Sequence, residues 1–181
     1  MKFKDIPKFT RAGSYQVNMP LNYFVKWVRE NQEECGLEMN PDFQRGHVWT
    51  REQQTAWLEY FFSGGVTGNV LYFNCPEFIV GRSKEQRAKR NISGMTIVDG
   101  LQRLTALRAF LRNEVAIFGH YLDEFEDRDK YLTHKSVRFN VNCLQTREEL
   151  LTWYIEMNSG GTPHTQEEIE RVRNLLNEEV K

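Results

Sequence analysis

The chain has 181 residues, 40% of them hydrophobic and 13% aromatic, and a formal net charge of -1. This excludes a disordered chain, suits one domain with a real core, and leaves only local basic patches to argue for nucleic acid. Cys35, Cys75 and Cys143 are too few and too scattered for a disulfide framework or a zinc pattern, so a reducing cytosol fits best. No apolar run approaches the ~20 residues of a membrane span, and Met1-Lys-Phe-Lys-Asp lacks the apolar stretch of a signal peptide.

Residues 1–13 read as a mixed, basic lead-in and residues 14–181 as the domain proper. Ser14 to Val17 suits a short strand. Asn18 is expected to cap a helix with Pro20 in its first turn, Leu21, Phe24, Val25 and Val28 on its apolar face, and Gly36 closing it. The stretch 37–49 is broken by Pro41 and Gly46, yet it carries Gln44, Arg45, His47 and Trp49, side chains that recognise ligands. The plainer reading is a loop whose Trp plugs the core. Thr50 with Gln53 fits a capping box for a helix that turns Gln54, Trp57, Leu58, Phe61 and Phe62 inward and stops at Ser63-Gly64-Gly65.

Asn69 to Phe73 is apolar enough for a central strand. Between Cys75 and Gly94, Arg82, Lys84, Arg87, Lys89 and Arg90 face only Glu77 and Glu85. A basic loop of this kind is usually solvated; it is also the best place in the sequence for nucleic-acid contacts.

The stretch Met95 to Leu111 organises the rest. Four apolar or β-branched residues suit a buried strand, Asp99-Gly100 a turn, and Leu101 to Leu111 a helix. Such a strand–turn–helix aims the helix N-terminus, with its free N–H groups and positive dipole end, beyond the sheet. On the helix, Thr105, Arg108 and Arg112 form the natural solvent stripe, while Gln102 and Arg103 fall within the apolar arc. A guanidinium at the positive end of a helix requires an anion, supplied either by Asp99 or by a ligand. Asp99 with Gln102 also fits a capping box.

Val115 to Gly119 is a candidate strand, and Asp123 to Asp129 an acidic surface without metal-site spacing. Ser136 to Leu144 alternates cleanly, with Val137, Phe139, Val141 and Cys143 opposite Arg138, Asn140 and Asn142. A helix from about Arg147 to Met157 turns Leu150, Trp153, Tyr154 and Met157 inward. Asn158 to Thr165 is a polar loop in which Gly160 and Gly161 let backbone approach a ligand. Thr165 and Glu168 then cap a last helix striped by Ile169, Val172, Leu176 and Val180. The pattern is α/β, with the strand at 95–98 expected beside those at 69–74 and 137–144. Walker, dinucleotide-binding and zincin motifs are absent, and the four histidines lack the grouping of a His-Asn-His nuclease.

Pro-Asp-Phe-Gln-Arg-Gly-His-Val-Trp at 41–49, Ile-Val-Asp-Gly-Leu-Gln-Arg-Leu-Thr-Ala-Leu at 97–107 and Asn-Ser-Gly-Gly-Thr-Pro-His-Thr at 158–165 stand in order. Together they resemble the domain of unknown function 262 family, the ParB/sulfiredoxin-like domain of GmrSD-type modification-dependent restriction enzymes and related phage-defence proteins. The resemblance spans about residues 15 to 170. It implies a ParB/sulfiredoxin-like mixed sheet with surrounding helices, and binding and hydrolysis of a nucleoside triphosphate. Carried over, Asp99, Gly100, Gln102 and Arg103 match the family's central motif, and Gln44 and Arg45 its earlier Gln-Arg pair. The catalytic candidates are then Asp99 and Arg103, and the nucleotide- and phosphate-binding candidates Gln44, Arg45, Gly100, Gln102, Arg103, Asn158 and Gly160. Asp99 would hold a magnesium ion or orient a water, and DNA and a separate nuclease or defence protein are the implied partners. Leu101 stands where the family has Gln, and His164 where it usually has Leu. The loss of an amide at Leu101 leaves a catalytically silent interaction module as one alternative. A ParB-like DNA-binding or nicking protein is the other.

Overall fold

The computed structural model describes residues 2–10, 13, 15–34, 36–44, 46, 48–78, 88–159 and 166–179. Within these residues a four-stranded mixed sheet lies between two groups of helices. The strands are β1 (Tyr15–Pro20), β2 (Val70–Asn74), β3 (Thr96–Asp99) and β4 (Ser136–Asn142), in the order β1-β4-β2-β3. β2 runs parallel to β4, while β1 pairs antiparallel with β4 and β3 antiparallel with β2. The helices are α1 (Leu21–Glu34), α2 (Arg51–Phe62), α3 (Leu101–Leu111), α4 (Arg128–His134), α5 (Arg147–Ser159) and α6 (Gln166–Glu179).

The period-2 geometry of strands decides how the core divides. Leu71 and Phe73 of β2, Ile97 of β3 and Phe139 of β4 enter one cluster, together with Phe24 of α1, Phe61 of α2 and Leu104 of α3. Tyr72 and Val98 point the other way, to Leu150, Leu151 and Trp153 of α5 and Val172 of α6. Aromatic rings dominate both sides: Trp27 meets Phe139 edge-on at 4.5 Å between centroids, and Trp153 meets Tyr72 at 6.3 Å. Helices cover the sheet on both faces, so the polar side of β4 is not a solvent side. Asn140 and Asn142 are buried, Ser136 is half-buried and Arg138 is exposed.

Three sequence expectations change. Pro20 ends β1 instead of opening a helix; Asn18 and Met19 pair with Arg138 and Val137, and α1 begins at Leu21, whose N–H donates to Lys135 O. β3 is a neighbour of β2 but not of β4, because β2 stands between them. Val115 to Gly119 forms a tight turn: Ile117 and His120 exchange backbone hydrogen bonds at 2.9 Å, and Phe118 sits at φ 48°. The capping box of α2 forms as its residues suggest, with Thr50 accepting from Gln53 N and Gln53 Oε1 from Thr50 N. Thr165 and Val180 lie outside the described residues. The α6 stripe finds its partner in the second cluster, where Val172 is fully buried and Leu175 and Leu176 pack at the margin.

Candidate functional site

β3 ends at Asp99, and Gly100 turns the chain into α3 with φ +102°. A side chain there would meet Leu71 Cδ2 at 2.5 Å, so both the backbone angle and the close approach require glycine. Gly100 is the N-cap, and no side chain caps α3. The Asp99–Gln102 capping box is therefore not made, and among the described residues no side chain takes the first-turn N–H groups.

Asp99 pairs with Arg103, whose Nη2 donates to Asp99 Oδ2 at 2.5 Å. Arg103 Nη1 donates to Gly68 O and Val70 O, both at 2.8 Å. The Arg103 side chain is 15% exposed and that of Asp99 35%, so the cation is enclosed while the carboxylate stays partly open. The inward-facing guanidinium is thus answered by Asp99 and two carbonyls. Among the described residues the other oxygen, Asp99 Oδ1, accepts no hydrogen bond.

Two amides fasten the 38–49 segment to this turn. Gln44 Nε2 donates to Ile97 O at 2.6 Å and Val98 O at 3.2 Å, along the outer edge of β3. Gln102 Oε1 accepts from Val48 N and Trp49 N, and its Nε2 donates to Gly46 O at 2.7 Å. From the opposite side, Arg171 of α6 donates to Asp42 O and Phe43 O, and Arg147 of α5 reaches Asp42 Oδ2 at 2.6 Å. That bond and the Asp42 charge hold the Arg147 guanidinium above its usual range. The result is a cavity of about 180 Å³ lined by Gln44, Trp49, Asp99, Gly100, Gln102 and Arg103, with Tyr154 of α5 on its far wall.

The structure brings together Gln44, Asp99, Gly100, Gln102 and Arg103, and leaves other expected residues elsewhere. Asn158 does not line the cavity; its Nδ2 donates to Tyr154 O, one turn back in α5. Lys89 is exposed, and Arg90 pairs with Glu77 at 3.3 Å. Arg45, Arg82, Lys84, Arg87, Gly160 and His164 lie outside the described residues. Asp42, Arg147, Arg171 and Tyr154 join the site without any sequence motif to mark them. Arg171 lies 129 positions from Asp42, and nothing local in the sequence signals that contact.

Among the described residues no group of three or more His, Cys, Asp or Glu sides could hold a metal ion. Asp99 offers a single carboxylate, with one oxygen already engaged by Arg103. That donor set does not fit a magnesium ion held by protein alone, which calls for several oxygens in near-octahedral array.

The profile of the GmrSD restriction endonuclease N-terminal domain matches residues 26–138, more than half of the sequence. The chain belongs to that family. The GmrSD N-terminal match takes in the 41–49 loop, the β3–α3 turn and every residue that lines the cavity except Tyr154. It links the chain to restriction endonucleases. No curated protein and no solved structure matches. None of the described helices is long and apolar enough to cross a membrane.

Proposed function

We propose that this GmrSD-type domain binds a nucleoside triphosphate, hydrolyses it, and thereby controls a DNA-directed effector in restriction and phage defence. The observation that supports this best is Asp99 at the mouth of an uncapped helix. Arg103 anchors one carboxylate oxygen, the other has no partner among the described residues, and the first-turn N–H groups of α3 lie beside it. Those N–H groups and the helix dipole suit phosphate oxygens. Asp99 suits a water or the ion carried by the nucleotide, and phosphoryl transfer depends mainly on such positioning and charge. A cavity of about 180 Å³ is smaller than typical ligand pockets, so it takes the phosphate chain while sugar and base extend past it. Magnesium belongs to the substrate in this reading, bridged to phosphate and largely hydrated.

The hydrogen bonds of the three long polar side chains support a positioning role for each in this reading. Gln44, Gln102 and Arg103 are positioning residues: their polar groups hold the 44–49 loop and Asp99 in place. Arg103 is accordingly not a phosphate clamp in this arrangement. DNA and a nuclease are the partners, with cleavage carried by the nuclease.

Leu101 favours a second reading, a silent module that binds nucleotide or protein without turnover. Its side chain is buried at 6% exposure and joins the main core cluster, so no polar group projects from that position.

Phosphate release from GTP, ATP and CTP, each with magnesium and with or without DNA, separates the two. Turnover that disappears in Asp99→Ala supports the hydrolase. A nucleotide that raises the melting temperature without being hydrolysed selects the silent module. If no nucleotide shifts the melting temperature, both nucleotide readings fall. Saturation to about 100 times Kd stabilises by roughly 2.7 kcal/mol, or about 5–10 °C for a domain of this size.

A further inference from the structure

The outer side of α3 holds a second recess, separate from the cavity at its N-terminus and more than twice as large, about 400 Å³. Arg51 from the first turn of α2 lines one side, and Thr105, Arg108 and Arg112 of α3 the other, with Glu114 at one end. Trp49 lines both the recess and the cavity. The stripe that reads as plain solvent face is in fact folded into a groove. Arg112 is exposed, but Thr105 and Arg108 are half-buried.

The charges in this groove do not balance. Among the described residues three guanidinium groups face one carboxylate. Arg51 Nη1 donates to Gln54 Oε1 at 3.2 Å, and among the described residues Arg108 and Arg112 make no ion pair and no side-chain hydrogen bond. Burial pushes the Arg108 guanidinium below its usual range; the neighbouring Arg112 adds to this and Glu114 opposes it. A partly desolvated cation beside a like charge is unfavourable unless an anion completes it.

We propose that this recess is a nucleic-acid contact site that takes the sugar–phosphate backbone of a strand along the outer face of α3. Arg108 and Arg112 stand one turn apart, about 6 Å along the helix axis, so they address successive anionic groups and not one. The groove is open and too large for a single tetrahedral anion. Guanidinium forks suit phosphodiester oxygens, and contacts of this kind position nucleic acid without reading its sequence. With a net charge of -1 on the whole chain, the attraction is local, so binding is weak and steeply salt-dependent.

Fluorescence anisotropy with short labelled oligonucleotides, single-stranded and duplex, tests this on the intact chain without nucleotide. The wild type binds at low salt, at about micromolar affinity. Combined Arg108→Gln and Arg112→Gln weakens binding about tenfold or more and lowers the salt slope by about 1–2. Arg51→Gln, at an exposed position, weakens it in the same direction without touching the core, and Glu114→Gln strengthens it. Nucleotide affinity stays unchanged in all of these variants, because none of the four residues lines the cavity at Gly100. Absence of oligonucleotide binding at low salt overturns the proposal. So does wild-type affinity and slope in the arginine variants. Displacement of the oligonucleotide by millimolar inorganic phosphate at constant ionic strength marks a single-anion site and also overturns it.

Discussion

Asp99 and Arg103 stand four positions apart and form one unit, and their substitutions separate what each contributes. Arg103→Ala removes three hydrogen bonds and leaves Asp99 and the carbonyls of Gly68 and Val70 without their donor. Bonds to a charged group contribute about 1.5–3 kcal/mol, so the variant is expected to lose about 2 kcal/mol in denaturant unfolding, with or without nucleotide. Arg103→Lys is expected to recover little of this, since one ammonium on a flexible stem does not reproduce a fork that reaches three acceptors. A variant as stable as the wild type would remove the positioning role. Asp99→Ala behaves differently. It withdraws a negative charge from beside the open N–H groups of α3, so nucleotide affinity is expected to hold or rise while turnover is lost. Isothermal titration beside a phosphate-release assay reads the two effects apart.

The strand–turn–helix element depends on its glycine. Gly100→Ala combines a φ of +102° with a Cβ 2.5 Å from Leu71, a side chain fully buried in the sheet. Strain at such a backbone position alone costs about 1–3 kcal/mol, and Leu71 has little room to yield. The expected loss is at least 2 kcal/mol, read as a fall in denaturant midpoint at unchanged slope. Gln102 acts between elements, holding the 46–49 segment to α3 through three bonds. Gln102→Ala is expected to raise hydrogen exchange at the Val48 and Trp49 amides, whose acceptor it removes, and to leave the β2 and β4 amides protected. Exchange at Val48 and Trp49 unchanged from the wild type would mean that the loop is held by other contacts.

At the scale of the molecule, the sheet separates two cores that the site needs together. The first supplies β3 and α3; the second supplies α5 and α6, whose Arg147 and Arg171 hold the Asp42–Phe43 turn. Trp153 is the largest fully buried side chain of the second core. Trp153→Ala is expected to cost about 3–5 kcal/mol in denaturant unfolding. Combined Arg147→Ala and Arg171→Ala leaves both cores packed and is expected to weaken nucleotide binding, with a stability loss of about 2 kcal/mol from the charged hydrogen bonds removed. A large stability loss without any effect on binding would assign that pair to the fold alone.

Local chemistry was legible in the residues: the Thr50–Gln53 cap, the central apolar strand at Val70–Asn74, the Asp99-Gly100 turn into α3, and the Gln44 and Asp99–Arg103 segments carried by the family resemblance. Each is set by neighbours within a turn or two of chain, or by a short motif. The start of α1 was misjudged because Pro20 is tolerated at the end of an edge strand as well as in a first helical turn, and pairing with Ser136 to Val141 decides between them. Alternation along β4 reports which residues share a face, not what covers it, so the burial of Asn140 and Asn142 comes from tertiary packing. Arg103 pointed inward on the helical projection, but whether Asp99 or a ligand answered it depended on carbonyls more than thirty residues away. The same holds for the Arg108 stripe, which α2 and Trp49 fold into a groove. Periodicity acts over a few residues and is determined by sequence alone, whereas a cap holds only where no distant group claims its side chain, as at Thr50–Gln53 but not at Gln102. The partners of buried charges come from distant segments, and only the tertiary structure chose them.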